Sequence, residues 1–152
     1  MRRPKDWTRL AAAVVGCELV GILSTPFTLA AIPTWYAALN KPAFSPPNWL
    51  FGPAWTTLYA LMGVAVYLAR KDKVGMRLFK WQLGANFVWS VLFFGLHSPI
   101  LGLIDIAILL WLIWKTTRRF YKVCKPAAYL MLPYLAWVAF ASVLNLAIVL
   151  LN

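Results

Sequence analysis

Five long apolar stretches, separated by short segments that are basic on every second occasion, constrain this chain more than any other feature. A helix needs about 20 mostly apolar residues to cross a bilayer. Stretches of that length run from about Trp7 to Ala31, Asn48 to Ala69, Met76 to Leu96, Ile100 to Phe120 and Pro126 to Leu151. Only 12% of the residues are charged, about half the share in a soluble domain. So little polar surface suits lipid better than water. The expected fold is an all-α integral membrane bundle of five transmembrane helices, in one domain covering residues 1–152.

The charges support that count. Arg2, Arg3, Lys5 and Arg9 precede the first stretch. Arg70, Lys71, Lys73, Arg77 and Lys80 follow the second, and Lys115, Arg118, Arg119, Lys122 and Lys125 follow the fourth. Of the 15 basic residues, only Lys41 falls on the other side of a five-span arrangement. The positive-inside rule then sets the N-terminus in the cytoplasm and the C-terminus outside. The net charge of +11 follows from topology and contact with anionic headgroups, without nucleic acid as a partner. The first stretch lacks a small-x-small cleavage pattern and is expected to stay in the membrane.

The segment from Ile32 to Pro47 is the one long loop. Pro33, Pro42, Pro46 and Pro47 are expected to prevent a continuous helix there, since each lacks a backbone donor. Trp35, Tyr36 and Phe44 give the loop something to bury. It is either an aromatic belt at the interface or a semi-rigid lid over a cavity.

Besides Trp35 in that loop, the other eight of the nine tryptophans divide into two groups. Trp7, Trp49, Trp81, Trp111 and Trp114 fall near predicted helix ends, where interfacial anchoring explains them. Trp55, Trp89 and Trp137 fall deeper, where an indole N–H needs a partner. Asn86, Trp89 and Ser90 share a helix face, as do Trp55 and Tyr59. Trp137, Ala141 and Asn145 form a stripe with Ser142 beside it. Polar side chains at this depth point inward, either gluing helices together or lining a ligand pocket, and the sequence leaves both open. Asp105 reads as a carboxylate at a helix N-terminus or as a polar wall of the same cavity. Glu18, in mid-membrane, must be protonated, paired or wet. His97 reads as a solvated loop residue. No nucleophile elbow, phosphate loop or metal motif occurs, and Cys17 and Cys124 suggest no disulfide framework.

The stretch WYAALNKPAFSPPNWLFGPAWTTLY, Trp35 to Tyr59, closely resembles the first-loop signature of the tryptophan-rich sensory protein and translocator protein family (TspO/MBR, formerly the peripheral-type benzodiazepine receptor). The segments QLGANFVWSVLFF and PYLAWVAFASVLN are similar to that family too. The resemblance implies a homodimer of five-helix subunits. It also implies a pocket toward the loop side for porphyrins such as protoporphyrin IX or a haem-like pigment, and other flat hydrophobic molecules, with no required cofactor and no metal. Positions matching the family's ligand pocket are Tyr36, Pro46, Phe51, Trp55, Tyr59, Asn86, Ser90, Phe93, Asp105, Trp137, Ala141 and Leu144. Trp55 and Trp137 match tryptophans implicated in light-driven porphyrin breakdown by some bacterial members. Three roles follow from the resemblance: a porphyrin-binding receptor or sensor that regulates tetrapyrrole levels, a light- and oxygen-dependent porphyrin-degrading enzyme, or a tetrapyrrole transporter. The animal cholesterol motif needs a basic residue shortly after a tyrosine in helix 5, and none follows Tyr134. The loose match of Val64, Tyr67 and Arg70 lies on helix 2.

Overall fold

A computed structural model describes residues 4–152; Arg2 and Arg3, counted above, fall outside it. Helix α1 is Pro4–Ala31, α2 Phe51–Leu68, α3 Lys73–Ser90, α4 Pro99–Val123 and α5 Lys125–Leu151. Each neighbour in space is fixed by packing rather than by chain order alone. α1 contacts α2 and α3, α2 contacts α5, and α4 lies between α3 and α5, so the five helices close into a ring.

Among the described residues, four helices are long and apolar enough to cross a membrane, and α3 is the exception to the five expected. It has the length: its 18 residues and the five of the turn that continues it extend about 34 Å at 1.5 Å per residue. What lowers its hydropathy is Lys73, Arg77 and Lys80 at one end and Gln82, Asn86 and Ser90 within. Those last three are buried. A helix that hides its polar face in the bundle still presents an apolar face to lipid.

Helix α1 does not stop at Pro33. A π-helical turn, Ile32–Tyr36, carries it onward, and helical backbone persists to residue 38. Proline has no N–H to lose and needs room for its ring, which the wider turn supplies. A second π turn, Val91–Gly95, extends α3. The two turns meet: the Tyr36 ring lies 5.7 Å from Phe94 and 6.3 Å from Phe93. Only residues 39–47 are then irregular, before a 3-10 turn at Asn48–Leu50.

This cap is tied down at several points. Lys41 donates to the carbonyls of Tyr36 and Leu39 at 2.8 and 3.2 Å. Phe44 packs edge-on against Phe140, centroids 6.2 Å apart. His97, exposed as expected of a loop residue, also stacks on Trp35 at 4.8 Å, joining the α3–α4 turn to the cap. At the other end, α4 and α5 are separated by the single extended residue Cys124.

Two glycines set helix distances. A Cβ on Gly63 would come within 2.4 Å of the Val14 backbone, and one on Gly21 within 2.6 Å of the Tyr59 ring. Gly21, like the buried Cys17 one turn before it, therefore faces the inside of the subunit. Gly16, by contrast, faces open space.

Candidate ligand cavity beneath the cap

Under the cap lies a cavity of about 410 Å³, within the range of small-molecule sites, roughly 300–1,000 Å³. Its walls come from α1, the start of α2, the C-terminal half of α3 and the C-terminal half of α5. Of the positions singled out above, Tyr36, Phe51, Trp55, Tyr59, Asn86, Ser90, Phe93, Trp137, Ala141 and Leu144 line it.

Two do not. Pro46 lies in the cap, half-buried, while Asn48 and Trp49 take the place at the wall expected of it. Asp105 is buried on α4, and no residue of α4 lines the cavity; side chains of α3 and α5 join there instead, Asn86 to Tyr134 and Trp89 to Asn145. Nor does Asp105 cap α4. Ser98 does that, accepting from the Leu101 N–H at 3.2 Å. The Oδ2 atom of Asp105 has no hydrogen-bond partner among the described residues.

The aromatic wall is continuous. Trp55 lies 5.7 Å from Tyr59, 6.2 Å from Tyr134 and 6.5 Å from Trp137, the two indoles nearly perpendicular. Trp137 meets Phe51 at 6.4 Å and Phe140 at 5.9 Å. Across the cavity, Trp89 stacks on Phe93 at 4.9 Å. The outlying tryptophans Trp7, Trp49, Trp81, Trp111 and Trp114 are all exposed, whereas Trp55, Trp89 and Trp137 are half-buried. Burial separates the two groups, whereas depth along the helix does not, since Trp111 lies midway along α4.

Polar groups in the wall also bind helices together. Asn86 accepts from the Tyr59 hydroxyl at 3.2 Å and donates to the Tyr134 hydroxyl at 2.5 Å, joining α2, α3 and α5. Asn145 accepts from the Trp89 indole at 3.2 Å and donates to the Pro99 carbonyl at 2.8 Å, joining α3, α4 and α5. Asn86 and Asn145 therefore both join helices and line the cavity. Ser142 does neither, since its hydroxyl returns to the Val138 carbonyl of its own helix. Trp89 has its partner, but the indole N–H groups of Trp55 and Trp137 have no hydrogen bond among the described residues.

The α1 wall went unnoticed in the sequence, apart from the isolated Glu18. Glu18, Gly21, Thr25 and Thr28 line the cavity and recur at helical spacing, a stripe of small and polar residues that could have flagged it. Exposed side chains mark the entrance. Ile22, Thr25 and Leu29 of α1 and Trp49, Gly52 and Thr56 beside α2 line the cavity yet are exposed. The opening therefore lies between α1 and α2, facing the surroundings laterally. Trp49, taken above as a belt residue, stands at this mouth.

Helices long and apolar enough to cross a membrane, packed around an aromatic-walled cavity, define an integral membrane bundle. The TspO/MBR family model matches residues 13–151, and the chain belongs to that family. It is 46% identical to the tryptophan-rich protein TspO of Archaeoglobus fulgidus, over 95% of this chain and 97% of that one. It is 40% identical to the human translocator protein, over 73% of this chain and 70% of that one. Protein CrtK of Rhodobacter capsulatus is 35% identical over 95% of this chain and 93% of that one.

The loose sterol-like pattern on α2 is otherwise engaged. Arg70 lies over the Tyr67 ring at 4.2 Å and pairs with Asp6 at 3.7 Å.

Proposed function

We propose that this protein binds porphyrins, protoporphyrin IX or a near relative, in the cavity beneath the cap, as a receptor that regulates tetrapyrrole levels. One observation carries the reading: Trp55 and Trp137, 6.5 Å apart, stand in one wall, with neither indole N–H hydrogen-bonded among the described residues. A flat π-system can lie against one indole face while the other presents an edge, an arrangement aromatic pairs favour. The lateral mouth between α1 and α2 suits a ligand that partitions into the bilayer. The N-terminus is cytoplasmic and the C-terminus outside in this reading, which rests on the basic clusters.

Tryptophan fluorescence tests it. Protoporphyrin IX should quench the wild type saturably, and Trp55→Phe with Trp137→Phe should lose most of that quenching. Unchanged quenching in the double variant would place the pigment elsewhere.

The chain of rings from Phe51 through Trp137 and Trp55 to Tyr59 favours a second reading, light-driven porphyrin breakdown. There dioxygen, activated by the excited pigment, would be the oxidant that adds to the pigment's own ring, and the indoles would hold the pigment where this happens. Illuminated complex should then lose its Soret band faster than free pigment in detergent, and the two phenylalanine variants should slow that loss.

A further inference from the structure

At the basic end of the bundle, far from the cap, α4 and α5 enclose a second cavity of about 370 Å³. Trp114, Arg118, Tyr121 and Lys122 line it from α4, at spacings that put them on one face. Tyr129 and Leu132 line it from α5. The Tyr121 and Tyr129 rings meet edge to face at 6.2 Å, beside the Cys124 link. The Arg118 guanidinium lies over the Trp114 ring at 4.9 Å.

Neither cation at this groove has a carboxylate. The chain has four acidic residues, and none is here. Asp6 pairs with Arg70 and Asp72 with Arg119, Glu18 lines the other cavity, and Asp105 is buried farther along α4. The groove thus has an apolar floor, aromatic sides and two exposed, uncompensated positive charges at one end. A second copy of the chain is a poor occupant, because a two-fold contact here would bring Arg118 and Lys122 against their own images with no acid between them. A water-soluble anion would leave the apolar floor unused, and its attraction to two exposed cations is screened by salt.

We propose that this groove is a binding site for a glycerophospholipid with an anionic headgroup. One acyl chain lies along Leu132 and the aromatic rings, and the phosphate is held between Arg118 and Lys122. Basic pockets between membrane helices take such headgroups, and bilayer contact supplies the ligand.

Native mass spectrometry of the whole protein, released from mild detergent, tests this with dioleoylphosphatidylglycerol and dioleoylphosphatidylcholine as probes. Phosphatidylglycerol should be retained at least fivefold more than phosphatidylcholine. Arg118→Gln with Lys122→Gln should bring the two within twofold. Arg77→Gln with Lys80→Gln, which removes the same charge from α3 at the same end, should keep the preference. A wild-type helical circular dichroism signal and thermal midpoint report that each variant is folded. Equal retention of both lipids, loss of preference in both double variants alike, or a change in dimer content instead of lipid retention would overturn the site.

Discussion

Asn40 and Asn152, 112 positions apart, hold each other by reciprocal hydrogen bonds. The Asn40 backbone N–H donates to the Asn152 side-chain oxygen at 3.0 Å, and the Asn152 amide donates to the Asn40 carbonyl at 2.9 Å. The end of α5 thereby pins the cap over the cavity. Both bonds are exposed, so each contributes modestly, about 0.5–1.5 kcal/mol. Asn152→Ala should leave the thermal midpoint nearly unchanged while speeding amide hydrogen exchange across residues 39–47. Ligand release should quicken severalfold in stopped-flow measurements. Exchange in the cap that stays at the wild-type rate would show that Phe44 and Lys41 suffice to hold it.

The Asn86 side chain serves two buried tyrosines at once. Replacing it with leucine keeps the volume and strands the hydroxyls of Tyr59 and Tyr134, at a cost of about 1–3 kcal/mol. Because part of that cost comes from Tyr134, Asn86→Leu should be less damaging in a Tyr134→Phe background. A double-mutant cycle on unfolding measures the coupling. Strict additivity would mean that Asn86 and Tyr134 do not depend on each other.

Gly63 and Gly84 are both helical and should respond oppositely to alanine. At Gly63 the new Cβ meets the Val14 backbone at 2.4 Å, so α1 and α2 must separate, an overpacking cost of about 1–3 kcal/mol. At Gly84 nothing lies within 4 Å, and alanine should be neutral or stabilising by up to about 1 kcal/mol. Thermal unfolding in detergent compares the two directly.

Stability should also depend on acid at the α2–α3 junction. Arg119 grips Asp72 with two hydrogen bonds, at 2.7 and 2.5 Å, and Asp72 also accepts from the Gly75 N–H at 2.9 Å, capping α3. The Arg119 hydrogen bonds, chiefly, hold the Asp72 carboxyl below the ordinary aspartate value. A depressed folded-state value means that the stabilisation is complete above the unfolded aspartate pKa, about 3.9. It is lost as pH falls through the lower folded value. Asp72→Asn should therefore lower the thermal midpoint at pH 7, and the gap to wild type should close below about pH 4. A gap independent of pH would remove the charge from the explanation.

Much of this protein is legible without coordinates. Hydropathy and the alternation of basic clusters yield the helix count, because lipid tolerates neither unpaired backbone nor unpaired charge. The long first-loop motif identifies the family, and helical spacing already unites Asn86 with Ser90 and Trp55 with Tyr59. Spacing cannot say which helices are neighbours in space. Asp105 looked like a cavity wall because it is polar and near the right depth, yet no residue of α4 lines the site. Pro33 looked like a helix stop because proline lacks a donor, yet a π turn absorbs it and carries Tyr36 inward. The α1 stripe from Glu18 to Thr28 acquires meaning only when α1 packs beside α2 and α3. Local chemistry and solvent preference are properties of a segment, so the sequence alone settles that the chain spans a membrane and is rich in tryptophan. Which faces meet, what fills the space between them and where the ring opens depend on long-range packing, which only the folded ring of five helices decides.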